Sequence, residues 1–361
     1  MTGKKPEAGA NTAVEFKNVS KVFNGSVVAV DDISLAVEAG TLVTLLGPSG
    51  CGKTTTLRMI AGLEFATSGT IEIGGRDVTR LPATERDVSM VFQSYALFPH
   101  MNVIENVSYG LSMSRLPKSD VQEQAREGLA LVGLDGYASR LPSELSGGQQ
   151  QRVAVARALV LEPQVLLFDE PLSNLDARLR RRVREEIRDL QTKLGLTVVY
   201  VTHDQEEALA VSDKIVVMNN AAIAQNGTPN ELYDAPADSF VADFIGEANL
   251  LPCSIEAVAD GTATVKAGTI TRQMPARGIP KGEALLAVLP HRLTIANHGD
   301  SNGLPGILRK ATFVGRHFEC LIDTELGELF AIVQLQNLQH KPGSEVSVVL
   351  ADDGPVLVKP A

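Results

Sequence analysis

The sequence lacks several features that mark particular classes of protein. It contains no tryptophan and only three cysteines, Cys51, Cys253 and Cys320, which lie too far apart to form a metal-binding motif. They are expected to be reduced thiols of a cytosolic protein. No run of about 18 apolar residues occurs, so no segment is expected to span a bilayer. The chain is therefore predicted to be soluble, and any work at a membrane would come through partners.

Positive charge is also scarce. The chain has 33 Lys and Arg residues against 43 Asp and Glu residues, which gives a net charge of −10. This balance argues against a nucleic-acid partner, because duplex binding depends on clustered basic side chains that neutralise phosphates. The remaining composition is that of an ordinary globular protein, with 44% hydrophobic residues, and it can bury a sizeable core.

The pattern of apolar runs divides the chain into three segments. Residues 1–12 are polar and are predicted to be a disordered tail. Residues 13–245 alternate β-branched runs with helical patterns, which predicts a largely parallel α/β sheet. Residues 246–361 carry short apolar runs separated by Gly, Pro and Asp, which predicts a small all-β, barrel-like domain. The predicted strands of the α/β segment are Val27–Val30, Thr41–Leu46, Val88–Phe92, Gln164–Phe168, Thr197–Val201 and Lys214–Met218, and its clearest helix is Ala177–Leu194.

The segment Gly47–Thr54 matches the pattern G-x-x-x-x-G-K-[ST], which binds nucleotide phosphates. It follows a predicted strand and opens a predicted helix, Thr55–Ala61, which is the context that this motif requires. In such a loop the glycines let backbone N–H groups turn towards a phosphate. Lys53 places its charge at the β- and γ-phosphates, and the Thr54 hydroxyl can bind Mg²⁺. The motif alone leaves kinases, GTPases and motor ATPases open.

Two other predicted strands lead into polar side chains. One is followed by Asp169 and Glu170, and another leads to His203. An acid beside a phosphate loop is well placed to hold Mg²⁺, which suits Asp169, whereas Glu170 is the better candidate for polarising the attacking water. His203 stands where ligands collect in a parallel sheet and could hydrogen-bond the γ-phosphate. The alternative for each residue is an ordinary polar strand terminus.

A second helix start that can bind an anion occurs at Ser146–Gln149, just before a helix predicted over residues 150–160. One nucleotide does not need two such sites from one subunit. The pattern therefore predicts a dimer in which each copy completes the nucleotide site of the other.

Together these motifs resemble the nucleotide-binding subunit of ABC transporters over residues 14–246. Leu145–Gln149 reads as the LSGGQ motif, Ser173–Asp176 as the D-loop, and residues 101–155 as the helical subdomain. The resemblance implies ATP and Mg²⁺ as cofactors and hydrolysis coupled to transport. It also implies a homodimer around ATP, integral membrane permease subunits, and indirectly an extracytoplasmic solute-binding protein. The chain would then lie at the inner face of the cell membrane.

The resemblance also assigns roles to single residues. Gln93 takes the place of the Q-loop glutamine, His203 that of the switch histidine, and Phe23 that of an aromatic residue stacked on adenine, although Phe23 could equally be a core residue. The implied catalytic residues are Lys53, Gln93, Glu170 and His203, and the implied metal ligands are Thr54, Gln93 and Asp169. The implied nucleotide contacts are Phe23, Gly47, Pro48, Ser49, Gly50, Cys51, Gly52, Lys53, Thr54, Thr55, Gln93, Ser146, Gly147, Gly148, Gln149, Asp169 and His203. The loop Gln93–Pro99 would receive a helix of the membrane subunit, or else be core packing.

The junction Gly246–Leu250 and the run Val91–Pro99 resemble importers that carry a C-terminal regulatory domain of the TOBE or OB type, with the ferric-ion branch nearest and the polyamine and phosphonate members as alternatives. A P-loop kinase is a rival interpretation, but it would lack Leu145–Gln149. A nucleotide-gated binding module outside transport is another, but it usually carries two cassettes. Export is disfavoured, since exporters often fuse cassette and membrane spans. The solute itself is not fixed by the sequence.

Overall fold

The computed structural model describes residues 12–114, 116–300 and 303–361. The chain divides into two compact units between Pro229 and Asn230. This division falls before the boundary predicted at residues 245 and 246. The reason is that the last helix before that boundary packs with the second unit, where Ala242 shares an apolar cluster with Leu289.

The strands of the first unit are β1 (Thr12–Phe23), β2 (Val27–Glu38), β3 (Leu42–Leu46), β4 (Ser68–Ile73), β5 (Arg76–Asp77), β6 (Val88–Val91), β7 (Val165–Asp169), β8 (Val198–Thr202), β9 (Lys214–Asn219) and β10 (Ala222–Gly227). They form a four-stranded antiparallel sheet in the order β2-β1-β4-β5 and a six-stranded sheet in the order β10-β9-β3-β8-β7-β6. The second sheet is parallel except for its edge strand β10, so the predicted fold class is confirmed. Of the predicted disordered tail, residues 1–11 lie outside the described residues, and Thr12 is already part of β1.

One predicted strand belongs to the other sheet. Val27–Val30 was expected among the parallel strands, but Val27 pairs with Phe23 across the β1–β2 hairpin. That placement was wrong because a short β-branched run has the same pattern in either kind of sheet. Here the turn at residues 24–26 returns the chain directly onto β1, as a short loop between antiparallel strands does.

The helices are α1 (Lys53–Ala61), α2 (Val103–Ser112), α3 (Lys118–Leu131), α4 (Gly147–Leu159), α5 (Ala177–Leu194), α6 (Gln205–Val211), α7 (Pro229–Asp234) and α8 (Ser239–Gly246). The bounds predicted for α5 are confirmed. Its start is capped by the Asp176 side chain, which accepts from the Leu179 N–H, and Gly195 follows its last residue in the left-handed conformation. Helices α2, α3 and α4 share one apolar cluster and form the helical part of the first unit.

The second unit is all-β after its two short helices. Its strands are β11 (Asn249–Ala259), β12 (Thr262–Ala267), β13 (Ile270–Pro275), β14 (Gly282–Val288), β15 (Leu293–Asn297), β16 (Leu304–Phe313), β17 (His317–Thr324), β18 (Gly327–Gln334), β19 (Glu345–Leu350) and β20 (Val356–Val358). They form two antiparallel five-stranded sheets, in the orders β13-β12-β11-β14-β20 and β15-β19-β16-β17-β18. Alternate residues of both sheets, such as Ile255 and Ile322, meet in one apolar core.

Candidate functional site

Four neighbouring strands of the parallel sheet end at the same edge. Strands β3, β8, β7 and β6 lie side by side, and the register pairs Leu46 at the end of β3 with Thr202 at the end of β8. Segments that follow parallel strands meet at their carboxyl ends, where ligands bind in open α/β sheets. The residues brought to this edge are the phosphate loop after β3, His203 after β8, Asp169 and Glu170 at the end of β7, and Gln93 after β6.

The phosphate loop is packed too closely for side chains at two of its glycines. A Cβ atom on Gly47 would lie 2.2 Å from the Met218 carbonyl oxygen, and one on Gly52 would lie 2.4 Å from the Ala29 carbonyl oxygen. Gly50, in contrast, is exposed and has open space around its Cα atom. The loop is thus fixed at its two ends, while its exposed part is free of side-chain bulk where backbone N–H groups can approach an anion.

Lys53 is a buried cation without a carboxylate partner among its hydrogen bonds. Its ammonium group donates to the carbonyl oxygens of Gly47 and Pro48, both at 2.8 Å, and lies 3.8 Å from the Cys51 sulfur. Only 5% of the residue is exposed. A buried positive charge that has only neutral carbonyl partners is unfavourable, and a bound anion would neutralise it. The loop is therefore suited to a phosphate group.

Asp169 and Thr54 meet beside the phosphate loop. Thr54 lies in the first turn of α1, and its hydroxyl is close enough to the Asp169 carboxylate to help lower the pKa of that acid. Burial raises the pKa of Asp169 above its ordinary value, while the positive charge of Arg58 opposes that rise. A carboxylate and a hydroxyl, both hard oxygen donors, are the ligand types that Mg²⁺ prefers, so the pair fits that ion. Thr55, the next residue of α1, is half-buried.

Glu170 and His203 form the second contact across the site. The His203 Nδ1 atom lies 3.2 Å from Glu170 Oε2, and the histidine is the more exposed of the two side chains. Glu170 has φ of 45°, a left-handed backbone conformation that is disfavoured for a residue with a side chain. Its backbone N–H donates to the Val201 carbonyl at 3.0 Å, which ties it to β8. A strained residue fixed by neighbours is typical of a functional position.

Gln93 is joined to Glu170 through the D-loop. The Gln93 Nε2 atom donates to the Ser173 hydroxyl at 3.1 Å, and that hydroxyl donates to the Glu170 carbonyl at 3.0 Å. Asn174 donates from Nδ2 to the Gln93 carbonyl at 3.0 Å. The exposed loop after β6 is therefore tied to the loop after β7 by two hydrogen bonds, and the Ser173–Glu170 bond lies within the second loop.

The segment after His203 is held by a buried carboxylate that sequence reasoning missed. Glu207 accepts hydrogen bonds from the Tyr200 and Thr202 hydroxyls. Burial raises the pKa of Glu207, and these two hydrogen bonds partly offset that effect. Asp204 caps α6 by accepting from the Glu207 N–H at 2.9 Å. This network joins the residue before His203, Thr202, to the start of α6 after it. In the sequence, Glu207 looks like any acidic residue in the first turn of a helix.

Ser146–Gln149 occupy the start of α4, so the helix begins earlier than predicted. Gly147 and Gly148 lie in its first turn, where a Cβ atom would come within 3.2 Å and 3.0 Å of side-chain atoms of Leu175 and Leu179. Ser146 is exposed, and its N–H donates to the Gln149 side chain at 2.9 Å. Within the described ranges no hydrogen bond connects Ser146–Gln149 with the phosphate loop of the same chain, so the structure does not bring these two predicted halves together.

Phe23 ends β1 and is half-buried at the turn of the β1–β2 hairpin. The Lys21 ammonium lies 4.6 Å from the centre of its ring. The hairpin borders the phosphate loop, since Ala29 of β2 approaches Gly52. Val27 and Val28 on the same hairpin are 58% and 49% exposed. An aromatic ring and two exposed valines thus offer an apolar surface beside the loop, suitable for the flat face of a base.

The most deeply buried arginine of this region was also missed. Arg86 is 7% exposed, and its guanidinium donates to the carbonyl oxygens of Leu81, Met59 and Ile60. The last two belong to the C-terminal turn of α1, where a cation interacts favourably with the helix dipole. Arg86 therefore anchors the far end of the helix that carries Lys53 and Thr54 at its start. Its sequence context, between an acid and an aspartate, resembles that of a surface residue.

No helix in the described parts of the chain is both long and apolar enough to cross a membrane. Residues 30–173 match the family model described as ABC transporter, and residues 286–358 match the model of the TOBE domain. The fold and site define an ATP-binding, ATP-hydrolysing subunit of an ABC transporter, and the chain belongs to that family. The predicted family, including its C-terminal domain, is confirmed.

The similar proteins include two that are named as import ATP-binding proteins. The Fe(3+) ions import ATP-binding protein FbpC of Agrobacterium fabrum is 59% identical over 346 residues, which are 96% of this chain and 98% of that protein. The protein of the same name from Brucella abortus is 60% identical over 320 residues, 89% of this chain and 90% of that protein. The solved structure of cbiO1 from Clostridium perfringens, part of the ABC transporter complex cbiONQ, matches with a TM-score of 0.58 at 25% identity, covering 62% of this chain and 91% of that one.

Proposed function

We propose that the chain powers the import of ferric iron through separate membrane subunits. The observation that carries this proposal is the identity of 59% to 60% with Fe(3+) import proteins, over nearly the full length of both chains. The two matched domains agree with it, because the ATPase domain comes first along the chain and the TOBE domain follows, in the order expected from the sequence. The sequence also left polyamine and phosphonate import open, and the uptake experiment below distinguishes these solutes from iron.

ATP binds at the edge of the parallel sheet. The buried Lys53 ammonium exchanges its carbonyl partners for phosphate oxygens, and backbone N–H groups of residues 47–52 complete the cradle. Phe23 stacks on the adenine ring. Thr54, Asp169 and Gln93 are the residues that would hold Mg²⁺, which when bound neutralises charge on the β- and γ-phosphates. The nearness of the Thr54 hydroxyl to the Asp169 carboxylate supports this assignment, because two of the three oxygen donors already lie together.

Hydrolysis depends on the pair Glu170 and His203. The Glu170 carboxylate accepts a hydrogen bond from the attacking water and orients it, since Asp169 is committed to the metal. His203, at 3.2 Å from Glu170, hydrogen-bonds the γ-phosphate and stabilises the charge that develops there. The strained backbone of Glu170 and its tie to β8 support a fixed position for the carboxylate.

A second copy of the chain completes each nucleotide site. The exposed Ser146 and the N-terminal turn of α4 form an anion-binding helix start that has no phosphate loop of its own chain bonded to it. In a homodimer, Ser146–Gln149 of one copy cover the ATP held by the other copy. Closure around ATP and opening after hydrolysis then drive the membrane subunits between two states.

The membrane subunits dock on an apolar surface of the helical part, and an extracytoplasmic binding protein delivers the solute to them. Tyr109 and Met113 at the end of α2, and Phe92 in the loop after β6, are 38%, 72% and 36% exposed. The Phe98 ring of that loop packs against Tyr109, with ring centroids 4.6 Å apart. Exposed apolar side chains on an ordered loop and helix suit a helix of a membrane protein. This docking holds the chain at the inner face of the cell membrane.

Uptake of radiolabelled Fe(3+) in cells that lack this gene tests the proposal. Expression of the parent chain should restore uptake, and expression of Glu170→Gln should not. Glu162→Gln serves as a matched control, because Glu162 is exposed and also has a left-handed backbone, with φ of 48°, but lies outside the site. Restored uptake of a polyamine or a phosphonate in place of iron would contradict the solute assignment and leave the ATPase assignment standing. ATPase activity that restores no solute uptake at all would favour a role outside transport.

A further inference from the structure

The loop that follows β6 contains a turn that its sequence does not favour. Tyr95 and Ala96 are consecutive residues with φ of 61° and 47°, both in the left-handed region. Residues with a Cβ atom rarely adopt this conformation even singly, because the Cβ atom approaches the following carbonyl oxygen. Neither position is a glycine, so contacts from elsewhere in the molecule must stabilise the turn.

Arg157 of α4 provides those contacts. Its guanidinium donates to the Ala96 carbonyl oxygen at 2.7 Å and to the Tyr95 carbonyl oxygen at 2.9 Å. The same group lies 5.6 Å from the centre of the Phe98 ring, further along the loop. Arg157 is half-buried, and this burial lowers the pKa of its guanidinium.

The geometry explains why an arginine stands here. The carbonyl oxygens of Tyr95 and Ala96 both accept from one guanidinium, so they lie close enough together to form a partly negative pair. The planar guanidinium reaches both oxygens with separate N–H groups, which the single ammonium of a lysine does less well. The Tyr95 ring is buried at 6% exposure, which anchors the turn from its other side.

The turn lies two residues after Gln93, which is bonded to Ser173 and, through it, to the Glu170 carbonyl. Arg157 thus connects α4, the helix that starts with Gly147 and Gly148, to the loop that holds Gln93 over the site. This connection runs through main-chain carbonyls and does not depend on the side chains of Tyr95 and Ala96.

We propose that Arg157 is a positioning residue, which holds the Tyr95–Ala96 turn left-handed and thereby keeps Gln93 bonded at the nucleotide site. The proposal rests on the function proposed above for Gln93. Arg157 does not contact the nucleotide. It acts through the loop. The two hydrogen bonds of Arg157 to the Tyr95 and Ala96 carbonyls transmit movement of α4 to Gln93.

The test uses the full-length protein with Arg157→Gln and Arg157→Lys. Amide exchange in residues 92–98 should become about tenfold faster in Arg157→Gln, and kcat for ATP should fall by about tenfold, with the Kd for ATP changed by less than about twofold. Arg157→Lys keeps the positive charge but loses the planar guanidinium that reaches both carbonyls. Its amide exchange rate and its kcat should therefore lie between those of the parent and of Arg157→Gln. If Arg157→Gln does not fold, Arg157→Lys carries the test. Unchanged exchange and kcat in the folded variant would overturn the proposal.

A second substitution separates the turn from a general packing role. Ala96→Gly removes the Cβ atom that makes the left-handed conformation unfavourable, so in the Arg157→Gln background it should recover several-fold of the lost kcat. Ser94→Gly is the matched control, because Ser94 is exposed in the same loop and its φ is not positive. Equal recovery with both glycines, or recovery with neither, would contradict the proposed role. A Lys53→Ala variant that hydrolyses ATP at the parent rate would instead contradict the proposed function, while the exchange measurement would still test Arg157.

Discussion

Replacing Glu170 with glutamine separates chemistry from stability. Glutamine has nearly the same shape, so the backbone bonds of Glu170 to Val201 and Ser173 are retained. The lost interaction with His203 is a contact to a largely exposed imidazole, and such pairs are worth less than about 1 kcal/mol. We therefore expect a change in the free energy of unfolding below about 1 kcal/mol.

The effect on the rate should be much larger. A positioned general base contributes about 10²–10⁴ in rate, which corresponds to about 2.7–5.4 kcal/mol of barrier. Glu170→Gln should therefore lose at least about 100-fold in kcat while it still binds ATP, and it should accumulate as an ATP-bound dimer. The three measurements are steady-state hydrolysis at saturating Mg-ATP, equilibrium ATP binding, and size-exclusion chromatography with and without ATP.

The control is Glu162→Gln, which makes the same chemical change at an exposed left-handed position outside the site. It should hydrolyse ATP at the parent rate. A Glu170→Gln protein with near-parent kcat would refute the assignment of Glu170 as the group that polarises water. Loss of ATP binding in that variant would contradict the prediction that only the chemical step is affected, because it would show that the carboxylate is needed to form the binding site.

Three further predictions concern the dimer, a thiol and the fold. Homodimers of Lys53→Ala and of Ser146→Arg should be inactive, because both sites of each carry a defect. A mixed dimer with a different tag on each subunit has one site with an intact Lys53 and an intact Ser146, so it should occlude labelled ATP there. Occlusion no greater than in the homodimers would exclude a shared site. All three cysteines are buried, but a maleimide that reaches Cys51 when the phosphate loop opens should inactivate the enzyme unless Mg-ATP is present. Burial raises the pKa of Cys253 and Cys320 to about 11, which slows their reaction. A modified Cys51 in a fully active enzyme would contradict this. Arg86→Met should lower the free energy of unfolding by about 2–3 kcal/mol, because three carbonyls lose their donor. Arg76→Met at an exposed position is the control, and equal effects of the two substitutions would show that Arg86 is not a structural anchor.

The sequence was sufficient to predict those features that depend on a few neighbouring residues. The Asp176 cap and the left-handed Gly195 define both ends of α5, and each can be recognised from a few residues. The phosphate loop was predicted in the same way, from one contiguous pattern between a strand and a helix. Asp169, Glu170 and His203 were found because a polar residue after an apolar strand is visible in the sequence and the parallel sheet brings such residues together.

Features set by distant parts of the chain were not predictable. Gly147 and Gly148 disfavour a helix by propensity, yet they belong to α4, whose start is capped by the bond from the Ser146 N–H to the Gln149 side chain. Arg86 is buried and Arg157 is half-buried through partners far from them in sequence, and nothing in their sequence neighbours distinguishes them from surface arginines. The left-handed turn at residues 95–96 was missed for the same reason, since neither residue favours it.

The central position of β3 in its sheet makes biosynthesis of the site a long process. All five residues of β3 are buried, but its neighbours β8 and β9 begin at Val198 and Lys214, roughly 150 residues later in the chain. At about 5–20 residues per second the ribosome needs about 8–30 s to supply them. Strands β1, β2 and β4 can pair during that time, because all three have been synthesised by Ile73. A nascent chain arrested before β8 should therefore carry an exposed, unpaired β3, fail to retain nucleotide, and require a chaperone to remain unaggregated.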